Sequence, residues 1–282
     1  MSNPRVKLCV LASSSSGNCS LLSVSLDGKV FTVLIDAGLS PRRTRALLES
    51  TGHGRIHIDH VILTHLDCDH WNTGWLEAMP EATTVHLHKR HVGRAGRMGL
   101  TYLRTQPFTD SFEVLPGIVI HPLLVAHDDL GTAAFRIDFP ACGRSLGYAT
   151  DTGRPSQELC EHLAGVDILA IESNYCPRMQ LASSRPDFLK QRIMGGRGHL
   201  SNEESARAVT RMAPRETVVL LHLSRQCNTP ETAAQHHAYE GRRVIVSSDR
   251  EPTGWIHIAA PELASAARMH APPRPATTLW GG

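Results

Sequence analysis

An apolar run, HVILT, leads directly into HLDCDH, so residues 65–70 crowd His65, Asp67, Asp69 and His70 onto one turn after a strand. Side chains of these kinds repel and desolvate one another when packed together, and a cation is what makes the crowding tolerable. The pattern demands a fold in which a strand end opens onto a ligand loop. Four further apolar strands end in a side chain of the same type: Asp36 in VLIDAG, His127 in LLVAHDD, Asp151 in YATDTG and His222 in VVLLHLS. Strand ends converge at one edge of a sheet, so residues distant in sequence can meet there.

Short β-rich runs dominate the first half: VKLCVLA, SLLSVSL, VFTVLID, IDHVILT, TTVHLH, GIVIHPLLVA and TAAFRIDF. Between them PRRTRALLES predicts a helix, with Ser40 as its N-cap and Pro41 in its first turn. In the second half the strands SLGYATD, VDILAIES, TVVLLHLS, RRVIVSSD and WIHIAA alternate with helices over PSQELCEHLAG, NEESARAVTRM and PETAAQHHAYEG. Ser201 followed by Glu204 forms a capping box. The segment NYCPRMQLASSRPDFLKQRIMGGRGHL reads as irregular. Strands first, then βα units in both halves, predict an α/β fold of two sheets face to face with helices outside. No linker is long or biased enough to divide the chain. Residues 1–260 are expected to form one domain and 261–282 a mobile tail.

A chain of 282 residues that is 41% hydrophobic and 20% charged can bury a sizeable core. Its formal net charge of +2 argues against coating nucleic acid over its whole surface, and leaves a local basic groove open. No apolar stretch reaches the ~18 residues that span a bilayer. The opening MSNPRVKLCVLASSSSGNCS is a first strand rather than a signal peptide. Seven cysteines without a CxxC pair fit reduced thiols, and a cytoplasmic location is expected.

Within the cluster, His65 and Asp67 lie two apart and on an extended turn can reach one ion, whereas the adjacent Asp69 and His70 suit a second. His127 completes the first set, His222 the second, and the Asp151 carboxylate can bridge both. The open position between two ions ~3.5–4 Å apart would hold a shared hydroxide. A rival cluster, HLHKRH with His86, His88 and His91, lacks neighbouring carboxylates and is expected to be structural or to face substrate. Two basic stretches, KRHVGRAGR at 89–97 and RPDFLKQRIMGGR at 185–197, can draw in an anionic substrate. With 5% aromatic residues, stacking along a long single strand is limited, which favours a short segment or an end.

Taken together, the set resembles the metallo-β-lactamase superfamily, whose hallmark is THxHxDH followed by a distant His, Asp and His. The likeness runs in order through Asp36, His65, Asp69, His70, His127, Asp151 and His222. A narrower likeness, to the WalJ/YycJ-like branch, is carried by LASSSSGNCSLL, HDD, YATDTG, ESN, DFLKQRIMGGRGHLSNEESA and HLSRQCNTPE. HLS at 222–224 is also similar to the C-terminal His motif of ribonuclease Z-type enzymes.

The resemblance implies a four-layer αββα sandwich of two mixed sheets. It also implies a metal-dependent hydrolase with exonuclease activity on DNA. Its cofactors would be two divalent cations, zinc first, with manganese or iron as alternatives. Attack on phosphorus would be in-line, with Asp69 and His199 as catalytic residues and His199 protonating the leaving group. Asp36, with Thr64, would orient the ligand loop. Ser201, Ser224 and Asn228, together with Arg192 and Arg197 of the second basic stretch, would contact substrate. That substrate would be a nucleic acid end, a short single strand or a small phosphodiester.

Three departures from the family pattern stand out. Asp67 stands where a second histidine is expected, Tyr175–Cys176 where a His-Asp pair is expected, and Cys227 where an asparagine is expected. Asp67 alters the charge count: the usual ligands and a hydroxide leave two divalent ions with about one net positive charge, and a third carboxylate leaves about none. A harder ligand set tolerates manganese or iron, and a less acidified water moves the activity optimum to higher pH. Two other functions fit the same residues. One is hydrolysis of a small ester, lactone, thioester or cyclic phosphate on the same scaffold. The other is metal binding with little catalysis, for which the departures at Asp67 and Tyr175–Cys176 speak.

Overall fold

The computed structural model describes residues 4–52, 57–238 and 241–259, so the expected tail at 261–282 lies outside the described residues. The chain begins as an antiparallel meander of β1 (Arg5–Ala12), β2 (Cys19–Leu26) and β3 (Lys29–Ile35). Helix α1 (Pro41–Ser50) leads to β4 (His60–Ile62), α2 (Trp75–Ala78) to β5 (Thr84–His88), and α3 (Val92–Arg97) to β6 (Thr105–Phe108). From β3 to β6 the strands run parallel.

The second half repeats this plan. Strands β7 (Phe112–Leu115), β8 (Ile118–Val125), β9 (Thr132–Phe139) and β10 (Arg144–Ala149) pair antiparallel. After α4 (Gln157–His162) comes β11 (Ile168–Glu172), then α5 (Pro177–Ala182), α6 (Asp187–Met194) and α7 (Asn202–Met212). Next are β12 (Thr217–Leu221), α8 (Pro230–His236) and β13 (Arg243–Val246), with β10 to β13 parallel. Strand β14 (Ile256–Ala259) returns to pair antiparallel with β1. The two mixed sheets have the orders β14-β1-β2-β3-β4-β5-β6 and β13-β12-β11-β10-β9-β8-β7.

Alternation along the strands places the core. Val6, Leu8, Val10, Leu22 and Ile35 of one sheet pack between the sheets against Phe135, Ile137, Tyr148 and Val219 of the other. The intervening strand residues face outward. Cys9, Leu21, Leu34 and Val61 meet Leu48, Trp71 and Trp75, while Leu169, Ile171 and Val218 meet Leu159, Ala208, Val209 and Met212. This is the expected αββα sandwich.

Its helices start where their caps dictate. Ser40 Oγ accepts from the Arg43 amide at 3.3 Å, and Ser201 with Glu204 forms the capping box. Ser205, Ala208, Val209 and Met212 make one buried stripe of α7.

Six elements escaped the sequence pattern, among them the four-residue helix α2. Strands β6 and β7 are sheet edges, and Pro107, which cannot donate to a ladder, is tolerated only at such an edge. Helices α5 and α6 lie in the stretch read as irregular, and α3 lies in the basic Gly-rich turn. All three are short, and little of each is buried.

HLHKRH proves structural: His86 stacks on Phe112, with ring centroids 5.2 Å apart, and His88 meets Phe108 edge-on at 5.6 Å. Burial, reinforced by neighbouring histidines, pushes both His86 and the buried His237 down to about 4. An unfolded chain takes up these protons near pH 6.5. Stability is therefore expected to fall as pH drops from about 6.5, by up to about 3 kcal/mol per histidine, with the loss complete below about pH 4. Urea midpoints of the chelated protein at pH 7 and pH 4.5 check this. The double variant His86→Gln/His237→Gln should lose less over that interval than the parent chain.

Candidate metal centre

The C-terminal ends of β3, β4, β8, β10 and β12, at the edge where open α/β sheets bind ligands, carry the cluster. Asp36 follows β3, residues 64–70 follow β4, His127 follows β8, Asp151 follows β10 and His222 follows β12. Asp36, Asp151 and His222 have left-handed backbone, with φ of 61°, 47° and 56°. For a non-glycine residue that costs about 1 kcal/mol or more. It turns each chain sharply at the sheet edge.

The ligand loop is fixed by its backbone. Asn18 N donates to Asp69 O at 2.7 Å, Ala37 N to His70 O at 2.9 Å and His70 N to Asp67 O at 2.8 Å. Gly38 lies so close that a Cβ there would sit 1.8 Å from Asp69 O, which explains the glycine of the LIDAG motif. Asp36, fully buried, accepts from the Thr64 amide at 2.8 Å and from Thr64 Oγ1 at 2.9 Å. Its other oxygen receives His70 Nδ1–H at 2.7 Å. That bond fixes the ring, so His70 Nε2 faces inward.

Among the described residues three groups of ligand atoms lie mutually within 4.8 Å: His65, Asp67 and His127; Asp69, His70, Asp151 and His222; and Asp151, Glu172, His199 and His222. In the first, Asp67 Oδ2 lies 3.8 Å from both His65 Nε2 and His127 Nε2. In the second, Asp69 Oδ2 lies 3.4 Å from His222 Nε2 and 3.7 Å from His70 Nε2. Asp151 Oδ2 stands between them, 2.5 Å from His70 Nε2 and 3.3 Å from His65 Nε2. Asp151 Oδ1 contacts His222 Nδ1.

Burial would raise the Asp151 pKa, but His222 and His70 outweigh it and hold the carboxyl well below its usual range. For His65, burial and then His70 depress the ring, leaving its lone pair free. Asp67 is held low chiefly by His127, with His65 and Arg94 adding to it against burial.

The residues fit divalent cations. His65 Nε2 and His222 Nε2 are buried polar atoms without a hydrogen-bond partner. Buried atoms of this kind are rare unless something satisfies them. They point into the first two groups, and mixed imidazole and carboxylate donors suit zinc, manganese or iron alike.

The cluster floors a cleft of about 870 Å³, rimmed by Arg185, Arg192, Arg197 and Arg225. His199 lines it, with Nδ1 2.6 Å from Glu172 Oε1 and 3.4 Å from Asp151 Oδ1. Burial opposes charge on this ring, yet Glu172 and Asp151 prevail and push it up to about 10. Glu172 is fully buried, its second oxygen accepting the Thr152 amide at 3.0 Å and facing the Leu200 amide at 3.3 Å. His127 Nδ1 donates to Gly198 O at 3.1 Å, which leaves its Nε2 for the cluster.

Of the residues expected to meet substrate, Ser224, Arg192 and Arg197 line the cleft. Two expectations are corrected. Ser201 is buried with its hydroxyl engaged by Glu204 in the cap of α7, and Asn228 donates inward to the carbonyls of Ser173 and Asn174. Neither lines the cleft. The basic stretch at 89–97 is likewise turned aside: Arg94 pairs with Asp67 and Asp128, and Arg90 bonds the Asp129 carbonyl.

Glu172 and Arg225 were not singled out in the sequence, and Arg185 was named only as the start of the basic stretch 185–197. Glu172 ends the apolar strand VDILAIES as Asp151 ends YATD, so the strand-end rule could have found it.

Comparisons with known proteins agree with this geometry. Residues 32–223 match the family model described as the Beta-lactamase superfamily domain. The exodeoxyribonuclease WalJ of Streptococcus pneumoniae serotype 2 (strain D39 / NCTC 7466) is 29% identical over 254 residues, spanning 83% of this chain and 87% of that protein. The exodeoxyribonuclease YycJ of Bacillus anthracis is 28% identical over 229 residues, 79% of this chain and 84% of its own. Among solved structures, the metallo-β-lactamase fold protein YhfI of Bacillus subtilis superposes with a TM-score of 0.63 at 14% identity, covering 88% of this chain and 98% of that one, which bears on fold alone. No helix among the described residues is long and apolar enough to cross a membrane. Matched over most of its length and carrying a His/Asp cluster at the strand ends, the chain belongs to the β-lactamase superfamily and is a WalJ/YycJ-like, metal-dependent hydrolase of the metallo-β-lactamase fold.

Proposed function

We propose that the chain is an exonuclease-type phosphodiesterase acting on a nucleic acid end or short single strand. One observation carries this reading: the carboxylate–imidazole floor lies at the bottom of a cleft whose rim is four arginines. Guanidinium groups match phosphate in charge and geometry. The named activity of the two relatives supports it.

His65, Asp67 and His127 would hold the first cation and Asp69, His70 and His222 the second, with Asp151 Oδ2 shared. When bound, two such cations supply an acidified water as nucleophile and stabilise charge on the attacking and departing oxygens. The protein does the rest. Asp69, partly exposed to the cleft, stands beside the place where the scissile phosphate would sit. Arg192 and Arg197 are exposed and bind backbone phosphates, whereas Arg185 is braced by Gln180, Ser224 and Gln226 and sets the register. His199, pinned at Nδ1 by Glu172, presents its other ring edge to the cleft and donates a proton to the leaving oxygen.

Three outcomes test this. Protein purified without chelator should hold two divalent cations per chain by elemental analysis, and Asp151→Ala should retain fewer than one. His199→Asn should lower kcat on end-labelled oligonucleotides by about 10²- to 10⁴-fold while keeping its metals. Arg192→Gln/Arg197→Gln should raise KM for oligonucleotides and flatten its salt dependence, leaving hydrolysis of bis(p-nitrophenyl) phosphate unchanged. Oligonucleotide hydrolysis that survives this neutralisation unchanged would point to a small-molecule hydrolase instead.

A further inference from the structure

Asp67 puts a carboxylate where the family pattern has an imidazole, and the structure sets a counter-charge against it. Oδ2 faces the ring nitrogens of His65 and His127, each at 3.8 Å, while Oδ1 is turned away and receives Arg94 Nη2 at 2.8 Å. Arg94 Nη1 reaches Asp128 Oδ2 at 3.4 Å. That carboxylate is itself fixed, its Oδ1 accepting the amides of Leu130 at 2.8 Å and Gly131 at 2.7 Å. One turn earlier, Arg90 donates to the Asp129 carbonyl at 2.9 Å. Helix α3 and the turn before it are thereby fastened to the loop that carries His127.

We propose that Asp67 and Arg94 act as one neutral unit replacing a histidine at the first metal position. A ligating imidazole offers one lone pair and no charge, and its second nitrogen is held by a partner that fixes the ring. The pair offers one carboxylate oxygen toward His65 and His127, has its other oxygen held by a donor, and carries no net charge. Arg94 returns the positive unit that Asp67 would cancel, and Asp128, which shares Arg94, is held by two backbone amides of its own. Arg94 is a positioning residue: it touches Asp67 rather than a cation or substrate.

The inference rests on the assignment of Asp67 to the first cation, and a mutant cycle separates the two. The parent chain, Arg94→Gln, Asp67→His and the double variant are each loaded with zinc. Zinc per chain and its rate of transfer to a chromogenic chelator are then measured, with melting of the metal-free protein as the check on folding. Arg94→Gln should release one of its two zinc equivalents on the order of 10- to 100-fold faster than the parent, with Arg94→Lys recovering part of the loss. In the Asp67→His background the same change should alter release by less than about threefold, because an imidazole needs no counter-charge. Should Asp67→His fail to fold, Asp67→Asn takes its place with the same expectation. Equal losses in both backgrounds, or none in Arg94→Gln, would overturn the inference and leave Arg94 as a loop fastener. If Asp67→Ala keeps both equivalents at parental release rates, the ligand assignment itself fails.

Discussion

Asp151 is a carboxylate almost wholly withdrawn from water, with one oxygen against His70 and His65 and the other against His222. Taking such a group out of water costs several kcal/mol unless positive charge stands beside it. His70 can supply that charge as a proton: burial opposes it, but Asp151 and Asp36 outweigh burial and hold the ring well above its usual pKa, and a metal cation in place of that proton would do the same. A cation between the oxygen and the ring nitrogens satisfies all three groups at once. The groups come from the ends of β4, β10 and β12, so the same requirement fixes how the two halves of the sandwich meet at their mouth.

The sheets make that meeting possible through what they bury. Their inner faces are aliphatic and aromatic almost throughout. Ser20 and Tyr148 are an exception, paired across the core at 3.1 Å. A close-packed interior of this kind transmits position rather than yielding to it. The strain at Asp36, Asp151 and His222 is therefore borne by the fold, and the ligands stay where the strands deliver them.

Much of this was legible because it follows from local rules. Strand periodicity, the Ser40 and Ser201 caps and the strand-end His and Asp side chains each depend on a few adjacent residues, and those side chains do meet in space. What escaped depends on partners far away in sequence. Nothing local says that Arg94 meets Asp67, or that Asn228 turns inward to residues 173 and 174 instead of outward to a cleft. A basic run looks alike whether it faces substrate or an acidic loop. Of the two such runs here, 89–97 meets the loop and 185–197 lines the cleft.

The departures at Tyr175–Cys176 and Cys227 belong to this second kind. They meet in space: Cys176 N donates to Cys227 O at 2.8 Å, and Tyr175, Cys227 and Ile193 form one small apolar cluster, with Leu189, Met179 and Met194 against it. Ile193 and Leu189 belong to α6, the helix that carries Arg192, and Gly198 lets the chain fold back so tightly that a Cβ there would lie 2.4 Å from Arg192 O. A His-Asp pair beneath this helix would have to find partners or lose a few kcal/mol to desolvation. Tyrosine and cysteine bury apolar surface in that place instead. None of the three residues belongs to any of the groups of clustered His, Asp and Glu side chains. Their exchange thus leaves that cluster intact and anchors the helix that holds the arginine rim over it.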